Sequence, residues 1–545
     1  MYDIFEFNTK HMKMNVKNVL IKFLSLYLIL LCTNNTANAQ KFDVSWNEKQ
    51  RLSFEYDDAV TLSNGKTILL KRETKTGGIF TAKVKNTFTL VLADKNMSVQ
   101  KEEVIEAEEK NTNLKGFEKF GNNIFLIFTV YDKSTKNTSM IAQKVNPDNL
   151  SRGAVITLAN FEADSKSDQA VSSFIRSSDS TKVMVFAEGP ERKKENKKLF
   201  FTIFDNDLKK IWTKEAELPF LEKFCYIYDF DMSNDGKVFV AVKHYDKEVS
   251  KQSIKRNSRK VPSYVYEMHI FSDKTPAPKV ITFNLGDNFI HGTKIAFNKN
   301  GTITVAGLYK KKYSGNITGS FYANLDPITN EIKNPKMVEF PTEMLTLVDK
   351  DNFGTDSKSD PGLYDEFRIR QILTRANGSV DLIAEYYDLD IVSRTSGGTL
   401  SYTTYEYHYY YGDIINTNID KDGKATFTRL PKNQKFINST IFMGVYGFIH
   451  KDNLVLLYND DKDNVDRDLS KKPDDIMKFK NSVFVAATID MKGNLSRQAI
   501  FSNDDDDYIT LPTRTIKATD NSYIIVADLL KIFKRRTKYG VLTVK

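Results

Sequence analysis

The sequence predicts an all-β protein of the β-propeller class, built from four-stranded antiparallel blades. One observation is a strand–turn–strand unit that recurs eight times along the chain. A second is the pair of strands, joined by another polar turn, that follows each unit. The third is composition, because 37 Phe and 26 Tyr but only 2 Trp and 2 Cys accompany 41% hydrophobic residues. Phe and Tyr favour strands, and this balance of apolar and charged residues is typical of globular domains.

The recurring unit is clearest at residues 230–245, FDMSNDGKVFVAVKHY. A short apolar strand is followed by an Asn-Asp-Gly turn, which is a strong hairpin signal. The alternating Val238, Val240 and Val242 then predict one apolar face, since side chains alternate along a strand. Similar units occupy residues 59–70, 117–131, 174–187, 295–309, 372–387, 447–458 and 516–529.

The ends of the chain predict how the ring closes. The eighth unit stops after a third strand at residues 539–545, and a spare strand lies near the other end, at residues 42–46. Pairing of these two strands would complete the last blade and remove an exposed sheet edge. Frayed termini are the alternative. We therefore predict eight blades, with seven as the alternative, and a single propeller domain over residues 40–545.

Residues 1–39 have the layout of a secretory signal peptide. Lysines precede an apolar run at residues 23–31, and Ala37 and Ala39 provide small residues before a cleavage site at Gln40. The run is too short to span a bilayer comfortably. We expect the mature chain to be exported to the periplasm, the cell surface or the medium, with no later transmembrane segment.

Two features of this leader leave alternatives. Translation starting at Met12 or Met14 would keep the pattern intact. Lipid anchoring through Cys32 is also conceivable, but the residues before it are bulky where a lipidation signal prefers small ones. After cleavage only Cys225 remains, so no intramolecular disulfide can form and a buried thiol is expected.

At this level the chain resembles exported bacterial β-propeller repeat proteins, over nearly its whole length after Gln40. The resemblance lies in the pattern of strands and turns. The sequence lacks the Gly-His and Trp-Asp pair of WD40 blades, a Gly-Gly that recurs in each unit as in kelch repeats, and the Asp box of sialidase-like propellers. Trp46 and Trp212 are too few for the docking repeat of quinone-cofactor propellers.

Long loops between second and third strands should share one face with the links between blades, and such loops usually carry binding. Several are basic and predict a site for an anionic glycan or an acidic protein. No recognition motif accompanies the charge, which argues against nucleic acid. A merely solvated surface is the alternative. The candidate binding residues are Lys193, Lys194, Lys255, Arg256, Arg259, Lys311 and Arg535.

The most aromatic stretch is YTTYEYHYYY at residues 402–411. Tyr405, Tyr407, Tyr409 and Tyr411 alternate, so they should line one face of a strand. Such a row either stacks on sugar rings or packs between blades, and packing is the commoner role. Tyr405 and Tyr407 are also candidate binding residues.

An acidic run between residues 460 and 468 predicts a weak Ca²⁺ site. Asp461, Asp463 and Asp466 alternate loosely, and Ca²⁺ takes oxygen ligands. The run lacks the central Gly and the terminal Glu of a complete calcium loop, so a solvated acidic loop is the alternative. We predict no other cofactor.

The sequence favours a non-enzymatic scaffold that binds a protein or glycan through its loop face. Histidines without metal-ligand spacing and the absence of a Gly-x-Ser-x-Gly elbow or phosphate-binding Gly loop argue against several enzyme classes. The alternative is a glycan-active hydrolase or lyase with carboxylates in the central channel. The oligomeric state is not predicted.

Overall fold

The computed structural model describes most of the chain after residue 39. The described residues are 40–46, 55–76, 84–95, 97–105, 112–165, 172–245, 253–256, 259–297, 303–325, 329, 335–352, 362–396, 402–420, 422–505, 507–531 and 534–545. The predicted signal peptide and Cys32 therefore lie outside them. Residues 43–543 form one compact unit. The described part of a second, small unit comprises residues 40–42, 544 and 545.

Strands dominate the described residues and form eight antiparallel sheets of four or five strands, together with one two-stranded sheet. We number the large sheets 1 to 8 in chain order. Strand β1 spans Phe42–Trp46. Sheet 1 contains β2 (Glu55–Thr61), β3 (Thr67–Thr76), β4 (Val84–Ala93) and β5 (Val99–Ile105). Sheet 2 contains β6 (Thr112–Phe120), β7 (Asn123–Asp132), β8 (Asn137–Val145) and β9 (Arg152–Glu162). Sheet 3 contains β10 (Ser172–Arg176), β11 (Lys182–Glu188), β12 (Asn196–Asp205) and β13 (Lys210–Leu221).

Sheet 4 is interrupted by the two-stranded sheet, a hairpin of β16 (Ser253–Arg256) and β17 (Arg259–Pro262). The four strands of sheet 4 are β14 (Cys225–Met232), β15 (Val238–Tyr245), β18 (Tyr264–Phe271) and β19 (Lys279–Phe283). Sheet 5 contains β20 (Phe289–Phe297), β21 (Ile303–Lys310), β22 (Gly319–Leu325) and β23 (Lys336–Glu339), and helix α1 (Thr342–Asn352) follows it.

Sheet 6 has the longest strands of the chain. It contains β24 (Phe367–Thr374), β25 (Val380–Ser396), β26 (Tyr402–Ile419), β27 (Ala425–Leu430) and β28 (Gln434–Ile437). Sheet 7 contains β29 (Tyr446–His450), β30 (Asn453–Asp460), β31 (Val483–Ile489) and β32 (Leu495–Ser502), with helix α2 (Lys462–Val465) after β30. Sheet 8 contains β33 (Tyr508–Thr510), β34 (Ile516–Lys517), β35 (Ser522–Lys531) and β36 (Lys534–Val544), together with β1.

The hairpin of sheet 4 shows why the repeat folds as it does. Strands β14 and β15 pair with Phe230 opposite Val240, and the Gly236 N–H donates to the Ser233 carbonyl across the turn at 2.9 Å. Gly236 has φ +88°, a conformation that glycine adopts without strain. The prediction of a single apolar face is corrected here, because both faces of β15 are buried.

The two faces of a sheet pack against different neighbours. Val238, Val240 and Val242 join sheet 3 residues in one cluster, whereas Phe239 and Ala241 join sheet 5 residues in another. Comparable clusters connect sheets 1 and 2, 2 and 3, 5 and 6, and 6 and 7. A further cluster joins residues of sheet 1 to residues of sheet 8. This stacking of four-stranded sheets confirms the β-propeller class; the number of blades stays a prediction.

The terminal strands meet as predicted. In sheet 8, β1 is the neighbour of β36. Lys538 places its ammonium 4.1 Å from the centre of the Trp46 ring, and Trp46 contacts Phe501 of sheet 7 edge-to-face at 5.1 Å. A Cβ on Gly540 would come within 2.7 Å of that indole, so the close approach requires glycine. The strand is therefore tied into the sheet.

The environment of Cys225 accords with the sequence. Cys225 is a free thiol, 3% exposed, and burial raises its pKa to about 12. Among the described residues, no helix combines the length and apolar character needed to cross a bilayer.

Candidate ligand-binding site

Two adjoining cavities lie at strand ends and loops of neighbouring sheets, mainly sheets 4, 5 and 6. One, of 690 Å³, has six aromatic rings among its lining residues and is called the aromatic cavity. The other, of 500 Å³, is called the cationic cavity. Tyr264 and Ile290 line both. The lining comes from the ends of second and fourth strands, the starts of first and third strands, and loops next to them. These loops include second-to-third-strand loops and links between sheets, where the sequence predicts binding.

The cationic cavity combines basic and aromatic side chains. Tyr228, Lys243 and Tyr264 come from sheet 4. The remaining lining residues come from sheet 5 and the entry to sheet 6: Phe289, Ile290, His291, Lys310, Tyr313, Ser314, Asp365 and Arg368. Asp365 is the one carboxylate among these residues, so the cavity carries more positive than negative charge.

Lys243 is the unusual residue of this cavity. It is only 5% exposed, and its Nζ lies 4.1 Å from the ring centre of Tyr264 and 5.2 Å from that of Tyr245. Tyr228 and Tyr266 complete the cage at 5.7 and 5.9 Å. No carboxylate among the described residues pairs with it, and burial lowers the pKa of Lys243 to about 8. A buried cation without a counter-ion marks a candidate functional residue.

The other cations of the cavity are held in place by the protein. Lys310 donates to both carboxylate oxygens of Asp365, at 2.7 and 2.8 Å. Arg368 donates to the Asp365 carbonyl and approaches Nε2 of His291 at 3.4 Å. Burial lowers the pKa of His291, so its ring is neutral at pH 7. Arg368 is exposed, and its guanidinium forms no carboxylate ion pair among the described residues.

The aromatic cavity offers flat surfaces and amides. Phe220 stacks on His244 with ring centres 3.7 Å apart. Behind it, Glu267 contacts His244 at 3.4 Å and His269 at 2.9 Å. The hydrogen bond from His244 is the main cause that lowers the pKa of Glu267 to about 2. Rings stacked in this way, next to exposed amides, suit the faces of sugar rings.

The predicted basic residues separate into two groups. Lys255, Arg256 and Arg259 lie exposed on the β16–β17 hairpin, and Arg256 lines the aromatic cavity, 3.8 Å from Asp287. Lys260 of the same hairpin lies 4.9 Å from the ring of Tyr313, which lines the cationic cavity. This hairpin therefore borders both cavities.

Lys193, Lys194 and Lys311 are not among the described residues that line these cavities. Lys193 and Lys194 are exposed in the turn before β12, on sheet 3. Lys311 is exposed and ion-paired with Glu339 at 2.5 Å. Arg535 lies in β36, and its side chain falls outside the described residues. Carboxylates also offset much of the charge near Lys193, since Arg192 pairs with Glu162 and Asp164.

The tyrosine row is divided by burial. Tyr405 and Tyr407 lie near the start of β26 and are 59% and 41% exposed. Tyr409 and Tyr411 instead pack against the cluster shared by sheets 1 and 8. The exposed pair lines neither cavity.

The acidic loop brings together a different set of aspartates from the set that the sequence predicts. Oxygens of Asp461, Asp463 and Asp474 lie within 4.8 Å of one another. Asp466 is absent from this group. The Asp461 carboxylate accepts a hydrogen bond from the Asp463 N–H at 2.9 Å, and Asp474 pairs with Arg467. These bonds stabilise the loop around α2.

Sequence reasoning missed most of the cationic cavity. Lys243, His291, Asp365 and Arg368 lie on three different sheets, and no spacing in the sequence relates them. One signal was available: Lys243 interrupts the apolar run of β15 at a position that alternates with Phe239 and Ala241. A lysine on a buried strand face needs a reason to be there.

The solved structures to which the chain is similar are distant from it. No protein-family model and no curated protein matches the chain. Among solved structures, the β-propeller domain of the Trilobed protease from Pyrococcus furiosus shares 13% identity and a TM-score of 0.37, covering 83% of this chain and 97% of that one. An acylaminoacyl peptidase from Pyrococcus horikoshii shares 10% identity and a TM-score of 0.35, covering 90% of this chain and 60% of that one. A Penicillium chrysogenum α-L-arabinanase complexed with arabinobiose shares 9% identity and a TM-score of 0.29, covering 64% and 94%.

The fold and the site together define the class. The chain is a β-propeller whose long-loop face carries a cationic cavity beside an aromatic one. Likeness this distant carries no activity over to it.

Proposed function

We propose that this protein is exported and binds an acidic carbohydrate in the paired cavities of its loop face. The observation that carries the proposal is the composition of the cationic cavity. Lys243, Lys310 and Arg368 face a single carboxylate, Asp365, and that carboxylate is already bound by Lys310. A ligand with a carboxylate or sulfate group would supply the missing negative charge.

The aromatic residues favour a sugar over a small inorganic anion. Tyr228, Tyr264 and Tyr313 line the cationic cavity, and Phe220 and Tyr245 line its neighbour. Apolar sugar faces stack on such rings, while Asn284 and Asn288 of the aromatic cavity can hydrogen-bond to hydroxyl groups. Because the cavities share Tyr264 and Ile290, one oligosaccharide could occupy both.

A two-carboxylate hydrolase receives less support from the same residues. The described lining offers Asp365 in one cavity and Asp287 in the other. Glycoside hydrolysis usually needs two carboxyl groups across one bond, one of them free to act as an acid. Both carboxylate oxygens of Asp365 already accept hydrogen bonds from Lys310, at 2.7 and 2.8 Å.

The test is calorimetric titration with acidic and neutral oligosaccharides of matched length, such as oligogalacturonate and reduced-charge methyl ester counterparts. We expect the acidic form to bind and the affinity to fall as salt rises. Arg368→Gln should weaken binding about tenfold or more, because it removes a charge-assisted hydrogen-bond donor.

Lys193→Ser combined with Lys194→Ser is the matched control. It removes two exposed positive charges from the same predicted face but from sheet 3, away from the cavity lining. If this pair weakens binding as much as Arg368→Gln does, a diffuse basic surface holds the ligand. If an acidic protein binds and acidic sugars do not, the partner is a protein.

A further inference from the structure

We propose that the cationic cavity cleaves its acidic glycan by β-elimination, with Lys243 as the base that removes the proton next to the sugar carboxylate. This inference rests on the proposed function, since the substrate is the same uronate-containing glycan. It goes further, because it assigns a reaction and a catalytic residue.

Elimination from a uronate needs three groups in one site. A base takes the proton from C5, which lies next to the carboxylate, and the electron pair of that C–H bond forms the C4–C5 double bond. The C4–O bond breaks, and the departing oxygen takes a proton from a donor. A cation on the carboxylate makes the C5 proton more acidic. No oxidant, metal or added nucleophile enters the balance.

The cationic cavity supplies each of these groups. Arg368 has an exposed guanidinium at the cavity wall, next to the neutral ring of His291 at 3.4 Å, and can bind the sugar carboxylate. Lys243 provides the amine, and Tyr228 provides a phenol beside it, with its ring 5.7 Å from Nζ. The tyrosine hydroxyl is the donor for the departing oxygen.

The surroundings of Lys243 explain how a lysine can act as a base. Its Nζ is enclosed by the rings of Tyr228, Tyr245, Tyr264 and Tyr266, and no described carboxylate stabilises its charged form. With the pKa of Lys243 at about 8, about a tenth of the amine is neutral at pH 7 and about half at pH 8. An ordinary exposed lysine would be almost wholly charged at both pH values.

The other titratable groups of the cavity do not compete for this role. His291 contacts Arg368 and the Phe367 carbonyl, and Asp365 is bound by Lys310. Lys310 and Arg368 line the same cavity and favour binding of the substrate carboxylate.

The experiment measures the ultraviolet absorbance of unsaturated uronate when the purified protein is mixed with polygalacturonate or alginate. We expect a rate that rises about tenfold per pH unit below pH 8 and levels off above it. Lys243→Arg keeps the positive charge but removes the base, so the rate should fall by a factor of about 100 or more. Affinity for the same oligomers should change by less than about threefold.

Lys71→Arg is the control. Lys71 is also buried on a second strand, β3, but it pairs with Glu102 at 3.2 Å. The Lys71→Arg variant should leave the rate of elimination unchanged. Melting curves establish that each variant is folded, and Lys243→Met replaces Lys243→Arg if the arginine does not fit.

The outcomes separate the two proposals. Binding without an unsaturated product at any pH from 6 to about 10 overturns the elimination and leaves the binding function standing. A rate that persists in Lys243→Arg and Lys243→Met also overturns it. If neither polymer nor its oligomers bind, the proposed function fails, and the elimination fails with it.

Discussion

Replacing Lys243 with Met should make the protein more stable at pH 7. The parent keeps an ammonium group in a site that is only 5% exposed and contains no carboxylate partner among the described residues. Met has a similar length and an apolar end, so it can fill the same space among the tyrosine rings. The variant thus removes the charge and keeps the packing.

The magnitude follows from the pKa of Lys243, which burial lowers from 10.5 to about 8. A shift of this size corresponds to about 3 kcal/mol against the charged form. Contact with the tyrosine rings, the nearest at 4.1 Å, returns about 1 kcal/mol. We therefore expect Lys243→Met to raise the free energy of unfolding by about 2 kcal/mol at pH 7.

The pH dependence has a definite sign. Between pH 8 and 10.5 the unfolded parent binds more protons at Lys243 than the folded parent does. The parent therefore gains stability as the pH rises through this window, and the advantage of the variant shrinks. Urea unfolding followed by circular dichroism at pH 7 and pH 11 measures both values. A variant less stable than the parent at pH 7, or a difference that does not change with pH, would refute the reasoning.

Three further predictions concern the scaffold. Deleting Phe42–Trp46 should lower the melting temperature of the whole domain, because β1 completes sheet 8; an unchanged melting curve would contradict this. Arg375→Met should cost about 3–5 kcal/mol in urea unfolding, since it leaves Asp381 buried without its bidentate partner, whose bonds measure 2.6 and 2.9 Å; adding Asp381→Leu should recover part of the loss. Cys225, whose pKa burial raises to about 12, should react with a thiol reagent only when urea unfolds the chain, as mass spectrometry can show.

The local parts of the fold were predictable because their causes are local. The Asn234–Gly236 turn and the alternating residues of β15 lie within one stretch, so the sequence contains everything that the hairpin needs. The pairing of β1 with β36 was predictable for a different reason, since an incomplete last blade leaves an edge that must be covered. What the pattern missed was burial of both faces of β15, because it depends on sheets 3 and 5.

The candidate site was less predictable because it is assembled across sheets. Among the residues that the charge runs selected, Arg256 lines one of the two cavities. The charge runs also selected Lys193, although acidic residues that lie close by in the folded chain offset the positive charge around it. In the acidic loop, Asp474 replaces Asp466 because the chain returns after α2, and that return has no marker in the spacing of the aspartates.

The pairing of the first and last strands also orders events in time. A ribosome makes β1 at the beginning of the domain and β36 at the end, so sheet 8 stays incomplete until synthesis of the domain is finished. Until then, the growing chain has an open sheet edge that another chain could join. Closure of so long a loop is slow compared with local hairpin formation, although the added entropic cost grows only with the logarithm of length. A nascent chain that meets a chaperone or a translocation channel before β36 appears is therefore still open, and pairing of β1 with β36 is a late step.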